Sequence, residues 1–180
     1  TQEALIVRAP VLRKNQPPEW ASMKEDDLPN TIHYGGFINE KIVGTATIYP
    51  ENRVNRNNEW RLRGMAVLDN YQSNGFGEQL LNSCFDHINS KDGEILWCNA
   101  RIGAVNFYKK CGFSICSDEF DIPNIGAHFE MEKISTFSQL KPNLNWDRSG
   151  LPSWTYFNQE LFELESEELF RKHWQIACHV

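Results

Sequence analysis

The segment Trp60 to Gly77, WRLRGMAVLDNYQSNGFG, constrains this chain more than any other stretch. An apolar run of strand length passes into a turn carrying Gly75 and Gly77, and the apolar residues beyond it, Leu80, Leu81, Cys84, Phe85 and Ile88, recur at helical spacing. A buried strand therefore runs through a glycine turn into a helix. The first N–H groups of such a helix lack intrahelical partners and sit at the positive end of its dipole. Together with the turn amides, which the glycines open to close approach, they make a site for a phosphate or pyrophosphate without any lysine. Two familiar phosphate loops do not fit. A P-loop would end in Gly-Lys-Ser/Thr, whereas Gly77 is followed by Glu78 and Gln79, and a dinucleotide fingerprint would place a third small residue where Leu80 stands.

Met65-Ala66-Val67 followed by Gln72-Ser73-Asn74-Gly75-Phe76-Gly77 resembles motif A of the GNAT superfamily of acyl-CoA-dependent N-acyltransferases, an apolar strand ending in valine and then Gln/Arg-x-x-Gly-x-Gly/Ala at the helix entrance. A second match follows in the expected order. Ile95 to Cys98 is a short apolar run, and Ala104 to Phe113, AVNFYKKCGF, is similar to the motif B helix of that superfamily. Its ending has a physical reading: Gly112 supplies the left-handed residue beyond the helix and Phe113 folds back on the last turn. The resemblance covers residues 1–134 and implies an α/β GNAT fold, with a mixed, mostly antiparallel sheet flanked by helices.

The rest of the chain is consistent with one such domain and a C-terminal extension. A length of 180 residues allows one well-buried core. The formal charge of −6 argues against nucleic acid or an anionic membrane as partner and suits an amine substrate. No apolar run approaches membrane-spanning length, and Thr1 to Ala4 lacks the basic-then-apolar pattern of a signal peptide. A first residue other than methionine reads as a trimmed or partial chain. Five cysteines, Cys84, Cys98, Cys111, Cys116 and Cys178, are odd in number and lie mostly in apolar segments. They read as buried thiols in a reducing, cytoplasmic setting, and none has zinc-ligand spacing, so no metal is expected.

Along the chain we expect a first strand over Leu5 to Arg8, ended by Pro10, then a proline-rich loop or broken helix from Asn15 to Asn30. A hairpin about Asn39-Glu40 joins strands 34–38 and 41–49, and the next strand spans 59–68. Helix 76–90, strand 94–98, helix 103–111, strand 113–117 and strand 127–134 complete the domain. Residues 135–150 lack periodicity and read as a linker. Beyond it, residues 151–180 contain one amphipathic helix from about Asn158, too apolar to stand alone, which packs on the domain, on another chain as in a homodimer, or on something missing. This tail is weakly similar to the segment preceding the Rieske domain in α subunits of ring-hydroxylating oxygenases, without its Cys-x-His and Cys-x-x-His ligands.

The superfamily resemblance implies acetyl-CoA as co-substrate, with the main chain of Met65, Ala66 and Val67 along the pantetheine arm. It places Gln72, Ser73, Asn74, Gly75, Phe76 and Gly77 at the pyrophosphate. The amine then attacks the thioester directly. Tyr108 occupies the position of the superfamily tyrosine that faces the sulfur and is the candidate general acid, or else a tyrosine half in the core. The superfamily glutamate six residues before the valine is replaced by Arg61, so Glu59, two residues upstream on the same strand face, is a candidate base acting through water; the alternative is a solvated charge. His128 and His33 are further candidates for proton transfer or substrate binding, since imidazole titrates near neutrality. Arg61 and Arg63 share the Glu59 face: if that face lines the acceptor cleft they bind a substrate carboxylate, and if it faces outward they pair with surface acids. Arg101 stands where relatives have a CoA-contacting asparagine, with Asn99 two positions earlier able to supply that contact and Arg101 a phosphate contact. The leading expectation is N-acetylation of a small-molecule amine; the competing one is a non-catalytic acyl-CoA-binding or regulatory domain of a fusion with a Rieske-type oxygenase.

Overall fold

The computed structural model describes residues 2–135, and residues 136–150 of the expected linker, the tail helix, Cys178 and the Rieske-like segment lie outside them. Helix α1 (Gln2–Leu12) leads through a short 3-10 turn (Pro18–Ala21) to strands β1 (Ile32–Ile38), β2 (Lys41–Pro50) and β3 (Glu59–Val67). Helix α2 (Phe76–Ser90), strand β4 (Ile95–Arg101), helix α3 (Val105–Lys110) and strands β5 (Ser114–Ile115), β6 (Phe120–Ile122) and β7 (Gly126–Ile134) follow. The sheet order is β1-β2-β3-β4-β7-β5, with β6 also on β7. Of its pairings only β3 with β4 is parallel. The expected mixed, mostly antiparallel sheet flanked by helices is present.

One expected element is of the other type. Leu5 to Arg8 belongs to α1 and not to a strand. A four-residue apolar run does not distinguish the two by itself. What decides it is the spacing of the packed side chains: Ala4, Val7 and Arg8 are buried and Val11 packs in the same patch, at i, i+3, i+4 and i+7. Pro10 sits in the helix's last turn, beyond its buried residues. A second difference is β6, three residues long, which forms a hairpin with the start of β7 and was not anticipated.

The main core lies between the sheet and helices α2 and α3, and includes Ile48, Leu62, Leu80, Leu81, Ile88, Leu96, Tyr108 and Met131. A smaller patch of Val7, Ile42 and Ala66 lies under α1 on the opposite face. Strand β3 reaches both patches through a bulge. Arg63 pairs with Thr47 but Ala66 pairs with Thr45, so Gly64 and Met65 together oppose Ala46. Gly64 takes φ +58°, a conformation that favours glycine. The bulge keeps Leu62, Met65 and Val67 on the α2 side while Ala66 turns to α1.

Under α1 the bulge meets a buried ion pair. Arg8 is fully buried and its Nη1 donates to both Asp26 carboxylate oxygens, at 2.9 and 2.8 Å. Its Nη2 donates to Thr47 Oγ1 at 2.5 Å. Burial alone would raise the Asp26 carboxyl, but the Arg8 guanidinium and the Met23 N–H outweigh it and hold it below the usual range.

Candidate active site

Strands β3 and β4 pair only from Glu59 opposite Ile95 to Arg61 opposite Trp97. Beyond that point they part, and residues 62–67 of β3 and 98–101 of β4 face a wedge between them. The wedge opens toward the N-terminus of α2, since β3 runs on through residues 68–75 into that helix. Ser73 (φ +62°) and Gly75 (φ +82°) are left-handed, and Gly75 caps α2 with no side-chain hydrogen bond to the helix amides. Those N–H groups remain available to an anion. Gln72 Nε2 ties the turn down, donating to Val67 O and Asp69 Oδ1, both at 3.0 Å, and Asn74 Nδ2 donates to Gln72 O. A Cβ on Gly77 would sit 3.0 Å from Phe107 Cζ, so its small size lets α3 close against the first turn of α2. A wedge with free strand edges, ending at an uncapped helix N-terminus, fits a pantetheine arm carrying a pyrophosphate.

Tyr108 stands on the α3 side of the wedge. Its hydroxyl lies 3.7 Å from Met65 Sδ and beside the Cys98 thiol, with Phe107 and Phe113 edge-on to its ring. Burial, and then the neighbouring Cys98, push its pKa well above the ordinary value, so the proton stays on the oxygen. A thioether is a weak acceptor, which leaves that proton available to a stronger one.

The other expected residues lie on the opposite, α1-side face, because Leu96, Cys98 and Ala100 are in the α2-side core and side chains alternate. Glu59 is buried and held by Arg53, whose backbone N–H and guanidinium donate to its carboxylate at 2.8 and 2.7 Å. Arg53 also reaches Glu130 and Glu132, at 2.6 and 2.5 Å. Burial would raise the Glu59 carboxyl, but Arg53 and the charge of Arg56 hold it low. It is an anion locked in an ion-pair network. Arg61 pairs with both oxygens of Glu51 at 2.9 Å, and its guanidinium lies 4.4 Å from the centre of the Trp97 ring. Arg63 pairs with Glu25 at 2.9 Å.

The two histidines differ. His33 has both ring nitrogens engaged, Nδ1 with Thr47 Oγ1 at 2.8 Å and Nε2 with Asp26 O at 3.0 Å. His128 has Nδ1 on Gly126 O at 2.7 Å and its ring stacked on Phe120. A carbonyl only accepts, so Nδ1 carries a proton, and in the neutral ring the lone pair is on Nε2. Nε2 has no partner among the described residues. His128 is opposite Arg101 in the β4–β7 register, and Asn99 is opposite Glu130. Asn99 Oδ1 is buried with no hydrogen-bond partner among the described residues, and the buried Tyr49 hydroxyl lies beside Glu51. Arg101 Nη2 donates to Leu12 O, at the end of α1, at 2.8 Å. Tyr49 and Arg13 were not anticipated from sequence; both draw their significance from long-range neighbours.

The comparisons agree with this architecture. The model of the acetyltransferase (GNAT) family matches residues 4–113. A Bacillus subtilis protein named uncharacterized N-acetyltransferase YitI is 31% identical over 134 residues, covering 73% of this chain and 90% of its own length. Among solved structures, an aminoglycoside 6'-N-acetyltransferase complexed with coenzyme A superposes with TM-score 0.61 at 15% identity, over 74% of this chain and 89% of that one. The ribosomal-protein-S18-alanine N-acetyltransferase from Escherichia coli gives TM-score 0.60 at 17% identity, over 74% and 86%. At such identities these two speak for the fold, while the family match and the Bacillus relative carry the assignment. With wedge, turn and helix as the family requires, the chain belongs to the GNAT acetyltransferases, and acetyl-CoA is its acyl donor.

Proposed function

We propose that the protein transfers the acetyl group to the amine of a small molecule, with His128 as general base and Tyr108 as the donor to the leaving sulfur. The observation that carries this reading is the fixed tautomer of His128, which leaves a lone pair on Nε2. Glu59, held as an anion by Arg53 and Arg56, and His33, with both nitrogens engaged, are poorer bases on the same argument.

Bound acetyl-CoA supplies an activated thioester carbonyl, and most of the acceleration comes from positioning. Free α2 amides hold the pyrophosphate, and the edges of β3 and β4 align the arm through Met65, Ala66 and Val67. Nε2 of His128 takes the proton that the amine gives up as the C–N bond forms. As the C–S bond breaks, the Tyr108 hydroxyl donates to the sulfur from the other face of the sheet, and its oxygen recovers a proton from solvent after release.

Acetyl-CoA turnover with a panel of amines, followed as free CoA thiol, tests this. His128→Gln is expected to lower kcat by about 10²–10⁴-fold. Tyr108→Phe is expected to lower kcat with the acetyl-CoA KM retained. Binding of acetyl-CoA without thiol release from any amine would replace this reading with the non-catalytic acyl-CoA-binding one.

A further inference from the structure

The end of α1 gathers more positive charge than the fold needs. Arg13 Nη1 and Arg101 Nη2 both donate to the same oxygen, the Leu12 carbonyl, at 3.0 and 2.8 Å. The two guanidiniums are thus within two hydrogen bonds of each other. Arg13 comes from the residue after α1 and Arg101 from the last position of β4, on the α1-side face. Arg13 also donates through Nε to Trp20 O at 3.1 Å. Neither has a carboxylate partner within the described residues. Arg63 is close enough that its charge, with that of Arg101, adds to burial in lowering the Arg13 pKa. Among the described residues, Glu25 is the one acid paired within this group, on Arg63. All three arginines are half-buried.

A helix C-terminus gains from one cation at its free carbonyls, but a second one on the same oxygen adds repulsion in place of stability. Three partly desolvated guanidiniums against one carboxylate are a planar, multidentate receptor lacking its anion. Arg61, by contrast, is neutralised by Glu51 and stacked on Trp97, so it does not contribute.

We propose that Arg13, Arg63 and Arg101 form an anion subsite of the acceptor pocket, and that the amine acetylated by this protein also carries a carboxylate. This rests on the reading that the amine enters on the α1-side face, where His128 lies opposite Arg101. The carboxylate bridges Arg13 and Arg101, replacing their shared hold on Leu12 O, and Arg63 lends its outer edge. The pocket then selects short amino acids or similar zwitterions over plain alkylamines.

The test uses the full chain, acetyl-CoA, and matched acceptors: β-alanine and γ-aminobutyrate, their amides, O-phosphoethanolamine and propylamine. Wild type is expected to favour the carboxylates over their amides at least tenfold in kcat/KM, and Arg13→Gln and Arg101→Gln are expected to collapse that preference with the Kd for CoA unchanged. Four results would overturn the subsite while leaving acyl transfer standing. One is equal use of acids and amides by wild type; another is a phosphate-bearing acceptor preferred over both. The third is a weaker Kd for CoA but not for its 3'-dephospho form, which would make the arginines a coenzyme phosphate site. A lower Tm in both variants with selectivity intact would likewise reduce them to helix caps. Absence of thiol release with every amine would instead sink the catalytic reading.

Discussion

Replacing Gly64 by alanine perturbs the point where the donor wedge, helix α1 and the buried ion pair meet. Two costs follow from the geometry. At φ +58° an alanine is in the left-handed region, which costs about 1–2 kcal/mol. Its Cβ would also lie 2.4 Å from Arg8 Nε and 2.7 Å from Arg8 Cζ, distances that no Cβ tolerates. Arg8 is fully buried, so it can move only by giving up Asp26 or Thr47. Separating a buried pair costs roughly 3–5 kcal/mol. Together these come to about 4–7 kcal/mol, a large part of the roughly 5–15 kcal/mol that stabilises a domain. At roughly 3–4 °C per kcal/mol, Tm should fall by at least 10 °C.

The control removes the obstacle. Arg8→Met alone strands the Asp26 carboxylate and destabilises too, but Arg8→Met with Gly64→Ala should cost clearly less than the two singles added, because the flexible thioether yields to the new Cβ. Urea unfolding of the four proteins gives the coupling. A Gly64→Ala cost below about 1 kcal/mol, or strict additivity, would show that the bulge does not lean on Arg8, and the link from α1 to the wedge would fall.

Two other outcomes are expected. Asp26 and Glu59 both have folded pKa values below their unfolded ones, so their contribution is full above the unfolded values, about 3.9 and 4.3, and drains as pH falls through the folded ones. The urea midpoint should decline mainly below about pH 4, with Asp26→Asn flattening that decline; an unchanged midpoint down to pH 3 would contradict the assignment. Burial pushes the Cys84 and Cys98 thiols up to about 12. At pH 8 iodoacetamide should therefore modify both only on unfolding, read by peptide mass mapping, and rapid labelling of native Cys98 would place the β4 interior in solvent.

The donor and acceptor halves of the site differ in how far sequence reveals them. The donor half is a contiguous strand, turn and helix, so its signals are local: β3 ends at Val67, Gly75 precedes the first residue of α2, and that helix runs to Ser90 as its periodicity indicates. Tyr108 is found for the same reason, through the short Phe-Tyr-x-x-x-Gly-Phe ending. The acceptor half is assembled from segments far apart in the chain. Alternation does place Glu59, Arg61 and Arg63 on one face, yet their partners come from Arg53, Glu51 and Glu25 in loops, and only the fold shows which charges are spent. Helix α1 was hidden because a buried arginine interrupts its apolar stripe, and the acid that permits this burial is eighteen positions away at Asp26. Arg13 carries no local signal at all. It matters because the last carbonyl of α1 and the last side chain of β4 converge there, 89 positions apart. On the proposed reading, acceptor choice rests on such pairings, and substitutions at the α1 end are expected to change the acceptor while the strand-turn-helix proposed to hold acetyl-CoA stays the same.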